Sequence, residues 1–308
     1  MQGPLESSSP QWATRGGQFI SPAGRLGCPD ALCVDSVGRV TDPLDLQSLA
    51  VDIAREAGAL AARRRSEGVA IAATKSTLAD IVTEADREVE QYIRGRLQAE
   101  RPDDGFLGEE SGAAESRSGL TWVVDPIDGT VNYAYGIPAY AVSIAAVAGE
   151  PDPARWEAQA GAVFNPATGE MFRAALHHGA WMNDRRIEVS GSPSPAGALI
   201  ATGFSYDPDR RTSQLAMLAH VMPLARDIRR IGAGSLDLAS VAAGRVDAYY
   251  ERGLWPWDLA AGALLVQEAG GRVAGVGGAP LGRETMLAGS GEFFDRLDAV
   301  LAPLVRAE

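Results

Sequence analysis

A chain of 308 residues, 46% hydrophobic and 22% charged, holds enough apolar material for one large domain or two closely packed subdomains. Its 40 acidic residues against 28 basic ones leave a net charge of −12, which excludes a broad electrostatic attraction to nucleic acid or to an anionic membrane surface. The longest apolar stretch, around 139–148, is interrupted by Ser143 and is about half of what a bilayer-spanning helix needs, so no membrane segment is expected.

Residues 1–41 have no sustained apolar period, are rich in Gly, Pro and Ser, and are expected to be a disordered leader. Glu6, Ser7, Ser8, Ser9 and Pro10 stand where a secretory signal would have its apolar core, which makes a cytoplasmic location the expectation. The two cysteines, Cys28 and Cys33, are too few for a disulfide framework or a four-Cys zinc site. Cys33 and Arg39 have the C-x₅-R spacing of cysteine-dependent phosphatases. Against that reading, Asp35 would put a negative charge into a loop whose N–H groups must receive phosphate, and no strand-forming run leads into it.

Asp42-Pro43 then makes a helix start, followed by Leu46, Leu49, Ile53, Ala57 and Leu60 at helical spacing, with an end near Gly68. A second helix carries Ala85, Val89, Tyr92, Ile93 and Leu97 on one face and stops before Pro102. Two helices are thus expected before the first strand. From Gly105 onward short apolar runs bounded by turn residues, at 121–124, 139–147, 159–164, 171–174 and 198–202, predict a sheet-rich middle. Helical periodicity returns near 211–224, 236–243 and 259–269, and in a last helix from Glu292 that holds Pro303. Alternating helices and strands indicate a layered α+β or α/β architecture.

Three segments carry chemistry. Asp125-Pro126-Ile127-Asp128-Gly129-Thr130 follows the apolar run Trp122-Val123-Val124, where a carboxylate would stand at the end of a buried strand. Pro and Gly would bend the chain in a turn so that Asp125 and Asp128 converge on one cation, and hard oxygen donors favour Mg²⁺ or Mn²⁺ over zinc. Plain turn chemistry explains the two Asp pairs equally well. Upstream, Gly108-Glu109-Glu110-Ser111-Gly112 sets two carboxylates side by side, which repel unless a cation intervenes, or else simply face solvent. Downstream, Asp258 opens the apolar segment 259–269, as a ligand or as the helix N-cap.

Together these segments resemble the inositol monophosphatase family, through G-E-E-S at 108–111, W-V-V-D-P-I-D-G-T at 122–130, V-D-A-Y-Y-E at 246–251, W-D at 257–258 and E-A-G-G at 268–271. The resemblance runs from about Asp42 to the C-terminus. It implies an α+β fold, a layered α-β-α-β-α sandwich of the inositol monophosphatase / fructose-1,6-bisphosphatase type, commonly a homodimer. The implied phosphatase domain is 42–308, in two packed subdomains at roughly 42–195 and 196–308.

The resemblance also implies roles. Glu109, Asp125 and the Ile127 carbonyl look like ligands of a first metal, Asp125, Asp128 and Asp258 of a second, and Glu109 of a weaker third. Glu110 stands behind them. Thr130 with Asp86 resembles the pair that orients an attacking water, and the Gly129 and Thr130 N–H groups those that hold phosphate oxygens. Lys75 belongs to a loop over the site or to the solvated surface. Glu251 corresponds to a position that bonds sugar-like hydroxyls, and Gly232-Ala233-Gly234 to backbone lining the same pocket, next to Asp128 and Asp258.

Charge counting agrees with this assembly: the four carboxylates Glu109, Asp125, Asp128 and Asp258 and a phosphate monoester carry about six negative charges, which two to three Mg²⁺ ions neutralise. The implied activity is Mg²⁺-dependent, lithium-sensitive hydrolysis of a phosphate monoester by metal-activated water, with myo-inositol monophosphate as the leading substrate. Histidinol phosphate, fructose 1,6-bisphosphate and a 3′-phosphonucleotide are the alternatives. Extra acidic groups near Glu251 would favour the imidazolium compound, and an aromatic stacking wall the nucleotide. A partner surface in a transcription complex is the non-enzymatic alternative.

Overall fold

The computed structural model describes residues 41–68, 71–74, 81–191, 193 and 197–305. Cys28, Cys33, Arg39 and Lys75 lie outside the described residues, and so does the leader up to residue 40. Asp42 accepts the Leu44 N–H at 2.9 Å and Pro43 begins helix α1 (Pro43–Glu67), which ends at Gly68 with φ 107°. These are the expected start and stop signals.

Strands β1 (Ile71–Thr74) and β2 (Ile81–Thr83) form an antiparallel pair before helix α2 (Glu84–Glu100). The expectation that two helices precede any strand is therefore corrected. Strands of four and three residues are too short to leave an apolar period in the sequence.

An eight-stranded sheet follows, built from β3 (Gly105–Gly108), β4 (Gly112–Ala114), β5 (Leu120–Asp128), β6 (Ala141–Ala148), β7 (Glu157–Asn165), β8 (Glu170–Ala175), β9 (Ala180–Met182) and β10 (Arg185–Ile187). The short helix α3 (Thr130–Tyr135) lies between β5 and β6. The strand order is β10-β9-β8-β7-β6-β5-β3-β4, antiparallel except for the β3–β5 pair. A second sheet, β12-β11-β13-β15-β14, is made of β11 (Ala198–Thr202), β12 (Ala225–Arg229), β13 (Ala248–Glu251), β14 (Arg272–Gly275) and β15 (Met286–Gly289). Helices α4 (Pro208–Val221), α5 (Gly234–Ala242), α6 (Pro256–Glu268) and α7 (Gly291–Val305) complete the fold.

Side-chain alternation along the strands sorts these elements into five layers. In β5, Trp122 and Val124 face α1 and α2, packing with Ile53, Ala57, Val89 and Ile93. Val123 faces the other way, into a core with Leu238, Leu264 and Leu265 of α5 and α6. Tyr249 of β13 reaches that central core, whereas Ala248 and Tyr250 pack with Met217 of α4 and Leu297 of α7. The order is thus helices, sheet, helices, sheet, helices, and the expected α-β-α-β-α sandwich is what forms. Both faces of each sheet are covered, which is why β5 and β6 read as continuous apolar runs. Helix α6 lies between the two sheets, so Leu259 to Val266 are all buried and no polar stripe exists. Among the described residues no helix is long and apolar enough to cross a membrane.

Candidate metal centre

The site is assembled at one end of β5. The expected turn after Val124 does not form: the strand runs on to Asp128, with Asp125 opposite Ser143 and Asp128 opposite Ala141 of β6. Three steps on β5 match two on β6, so one residue is bulged out. Residues three apart on a regular strand point to opposite faces, and the bulge re-phases the chain so that both carboxylates face the same way. Ile127 donates its N–H to Asp125 Oδ1 at 3.1 Å.

Two helix starts bring the partners. Asp128 accepts the Gly234 N–H at 3.2 Å, the Ser235 N–H at 2.7 Å and the Ser235 hydroxyl at 2.5 Å, all from the first turn of α5. The positive end of that helix favours the carboxylate. Asp258 stands in the first turn of α6, three residues beyond the N-cap Trp255, and its Oδ2 accepts the Trp255 N–H at 2.7 Å. The N-cap reading of Asp258 is therefore corrected: it is the return half of a capping box, which leaves its other oxygen for the site. Asp125, Asp128 and Asp258 offer ligand oxygens that all lie within 4.8 Å of one another.

Glu109 sits in the tight turn between β3 and β4, its N–H on the Val124 carbonyl at 3.3 Å. That turn is fixed from behind by Glu90 of α2, 2% exposed, which accepts the Glu110 N–H at 2.8 Å. The Glu110 carboxylate lies 3.9 Å from the Arg87 guanidinium. One turn before Glu90, the Thr130 hydroxyl lies 3.3 Å from Asp86 Oδ1 and 3.1 Å from the Ile127 carbonyl.

The electrostatics are those of a crowded acidic cluster. Burial, and after it the charges of Glu109, Asp128, Asp258 and Asp86, hold the Asp125 carboxyl well above the usual range. Burial and then Asp128 do the same to Asp258. Asp128 is raised by burial and partly relieved by Ser235 and by the Gly234 and Gly129 N–H groups. Among the described residues none of the three aspartates is ion-paired with Lys or Arg. An all-oxygen donor set of two buried and two half-buried carboxylates fits hard divalent cations such as Mg²⁺ or Mn²⁺, and Asp125, Asp128, Asp258 and Glu109 could hold them.

Gly129 (φ 87°) is required on two counts, because a Cβ there would stand 2.9 Å from the Ala139 carbonyl oxygen and 3.1 Å from Ala233 Cβ. The 129–130 and 232–234 segments therefore abut at the site. The Gly129 N–H also helps to stabilise the charged Asp128 carboxylate. Glu251, at the end of β13, receives the Tyr249 hydroxyl at 2.6 Å. Burial pushes its pKa up to about 7, with Tyr249 and Arg230 working against the rise. A Cβ on Gly203 would lie 1.7 Å from its Oε2. Asp237 of α5 is buried near Glu251 and Asp128 and is also raised, first by burial.

The structure thus brings together Asp86, Glu109, Glu110, Asp125, Ile127, Asp128, Gly129, Thr130, Gly232, Ala233, Gly234 and Asp258. Sequence reasoning missed Glu90, Ser235, Tyr249, Gly203 and Asp237. Two of these carried a signal: Glu90 is one helical turn after Asp86, and Tyr249 is two residues before Glu251 on the same strand face.

The profile of the inositol monophosphatase family matches residues 42–306. An inositol-1-monophosphatase of Mycobacterium bovis is 45% identical over 250 residues, covering 75% of this chain and 84% of that protein. A protein of Pseudomonas aeruginosa named Nus factor SuhB is 39% identical over 264 residues, covering 83% of this chain and 95% of its own. The crystal structure of extragenic suppressor protein suhB from Bartonella henselae superimposes with a TM-score of 0.77 at 37% identity, covering 83% of this chain and 98% of that one.

Proposed function

The chain belongs to the inositol monophosphatase family, and from that premise we propose that it hydrolyses a phosphate monoester, with myo-inositol monophosphate as the leading substrate and two to three Mg²⁺ ions, replaceable by Mn²⁺, in the site. One observation carries the reading: two buried aspartates, Asp125 and Asp128, and the half-buried Asp258 offer oxygens within 4.8 Å of one another, and among the described residues none of the three is ion-paired with Lys or Arg. Carboxylates held so closely either take up protons or are neutralised by cations, and at neutral pH cations let all of them stay ionised.

Asp125, Asp128, Asp258, Glu109 and the Ile127 carbonyl would hold the ions, with Glu110 supporting Glu109. A bound divalent cation supplies Lewis acidity, making a water more acidic and neutralising charge on the phosphoryl group. The chain's own residues position the reactants. The Thr130 hydroxyl has one proton and two acceptors within reach, Asp86 and the Ile127 carbonyl. When the carbonyl serves as a ligand, donation goes to Asp86 and the hydroxyl lone pairs are left to orient the attacking water. The Gly129 and Thr130 N–H groups would hold phosphate oxygens once Asp128 is engaged by an ion. Glu251, fixed by Tyr249, would accept hydroxyl groups of the leaving alcohol, beside the backbone of 232–234. Homodimerisation and inhibition by lithium belong to the same reading.

The test is phosphate release by the purified chain with Mg²⁺ or EDTA, across myo-inositol 1-phosphate, histidinol phosphate, fructose 1,6-bisphosphate and adenosine 3′,5′-bisphosphate. The expected result is turnover abolished by EDTA, with the inositol ester among the hydrolysed compounds. No release with either Mg²⁺ or Mn²⁺ would refute the reading. A second reading, partner in a transcription complex, is favoured by the relatives named Nus factor SuhB. A partner captured equally by wild type and by Asp125→Asn would separate that role from catalysis.

A further inference from the structure

The turn 252–257 joins Glu251 to Asp258 and carries a stack of groups that the proposed chemistry does not use. The Trp255 and Trp257 rings are stacked, their centroids 5.3 Å apart and their planes 11° from parallel. The Arg283 guanidinium carbon lies 3.3 Å from the Trp255 centroid. Two groups of this size cannot share one face of an indole, so Trp257 covers one face and Arg283 the other. Trp255 is 43% exposed, yet both faces of its ring are taken. Ring stacking and a cation over an indole are each favourable, so the ring is clamped.

The clamped residue is the one that holds Asp258. Trp255 is the N-cap of α6 and makes no side-chain capping bond, since an indole has no acceptor to offer. Its backbone meets Asp258 twice: the Trp255 N–H donates to Asp258 Oδ2 at 2.7 Å, and the Trp255 carbonyl accepts the Asp258 N–H at 3.2 Å. A bond to one carboxylate oxygen sets where the other points. The main chain just before Asp258 is anchored separately, because the Trp257 carbonyl accepts the Ser143 hydroxyl at 3.4 Å, from the β6 residue opposite Asp125. The direction of the Asp258 carboxylate therefore depends on where Trp255 stands.

Trp255 is held from two sides. Leu254, buried in the central core, anchors the turn from within. On the solvent side the loop before β15 is tied to the turn at three points: Gly253 donates its N–H to the Arg283 carbonyl at 2.9 Å, Arg252 pairs with Glu284 at 3.4 Å, and the Arg283 guanidinium lies on Trp255. Glu284 is exposed, so its ion pair contributes little. The guanidinium is the contact that reaches the ring itself.

We propose that Arg283 is a positioning residue for Asp258: by clamping the Trp255 ring against Trp257 it keeps the Trp255 N–H on Oδ2, and so keeps the remaining oxygen aimed at Asp125 and Asp128. The inference rests on the proposed metal centre and deepens it, assigning part of the affinity for the ion at Asp258 to an exposed arginine that is not itself a ligand.

The experiment compares the full chain as wild type, Arg283→Ala, Trp255→Ala, Trp255→Phe and the double variant Arg283→Ala/Trp255→Ala, each checked for folding by circular dichroism. Both side chains are exposed, so the substitutions leave the cores intact. EDTA-treated protein is titrated with Mn²⁺ while the electron paramagnetic resonance signal of free Mn²⁺ is followed, a readout that needs no turnover. Binding is expected to weaken about threefold or more in Arg283→Ala and in Trp255→Ala, the scale of one exposed cation–π contact. Trp255→Phe keeps a ring for Arg283 to lie on and is expected to stay within about twofold of wild type. The double variant should be no weaker than the weaker single one, because the two side chains act through one contact. A smaller loss in either alanine variant, an equal loss in Trp255→Phe and Trp255→Ala, or losses that multiply in the double variant overturns the positioning role. Phosphate release from myo-inositol 1-phosphate is measured alongside. If wild type binds Mn²⁺ but hydrolyses nothing, the phosphatase reading has failed and the Mn²⁺ titrations still decide; if wild type binds no Mn²⁺, the metal centre and the positioning role fall together.

Discussion

Asp125 and Asp128 stand three residues apart on one strand, yet one bulged residue turns both carboxylates to the same side, with ligand oxygens within 4.8 Å. Asp125→Asn keeps the shape and removes a charge. Turnover is expected to fall on the order of a hundredfold to a thousandfold, the range for losing one element of transition-state charge stabilisation. Steady-state phosphate release beside an unchanged circular dichroism spectrum checks this; activity within tenfold of wild type would sink the ligand assignment.

Metal removal should make stability depend on pH with a definite sign. Asp125, Asp258 and Asp237 are held above the usual carboxylate range by burial, and Glu251 reaches about 7. A carboxyl with a raised folded-state pKa keeps its proton after the unfolded chain has lost it. Its contribution therefore favours folding at low pH and is lost as pH rises from about 4.5, the unperturbed Glu value, through about 7. Glu88, Glu170 and Asp227 are shifted the other way and titrate below this window. In EDTA the Tm should fall between pH 5 and pH 8, and Mg²⁺ should raise it more at pH 8 than at pH 5. Calorimetry showing an EDTA Tm that climbs across that interval contradicts the account.

Tyr249→Phe removes the hydroxyl that donates to Glu251 at 2.6 Å. Hydrogen bonds to charged groups contribute about 1.5–3 kcal/mol. An increase of KM for a polyol phosphate by about tenfold, with kcat changed much less, is expected. Gly203→Ala should act in the same direction, because its Cβ would occupy the place of the Glu251 carboxylate. A loss confined to kcat in both variants would remove Glu251 from substrate binding.

Glu90 offers a contrast between two substitutions. Glu90→Gln retains an oxygen for the Glu110 N–H, whereas Glu90→Leu leaves that donor unsatisfied beside Glu109. An unsatisfied buried donor costs about 1–3 kcal/mol. The Mg²⁺ concentration for half-maximal activity should rise several-fold in Glu90→Leu and little in Glu90→Gln. Equal Mg²⁺ dependence in the two variants would show that this contact does not position Glu109.

Much of the site was legible because its ligand residues lie in short runs whose composition is unusual on its own: Glu109-Glu110 between glycines, Asp125 to Gly129 after an apolar strand, and Asp258 after two tryptophans. Their geometry was not legible. Pro126 and Gly129 suggested a turn, yet β6 pairs with β5 on both sides of the bulge and carries the strand on through the site. Asp258 looked like an N-cap because its local spacing fits one; the cap is Trp255, and Asp258 is free to use one oxygen elsewhere.

By itself the sequence determined the features that depend on near neighbours. The Asp42-Pro43 start and Gly68 end of α1 are satisfied within a turn, and the apolar runs of β5 and β6 declare strands covered on both faces. Tertiary structure alone decided which distant groups meet. The Ser235 hydroxyl reaches Asp128 across 107 residues of sequence, and Arg283 reaches Trp255 from a loop before β15. Such contacts leave no period or cap behind, because their partners are chosen by how two sheets stack against α5 and α6, a long-range packing solution that no local window of residues records.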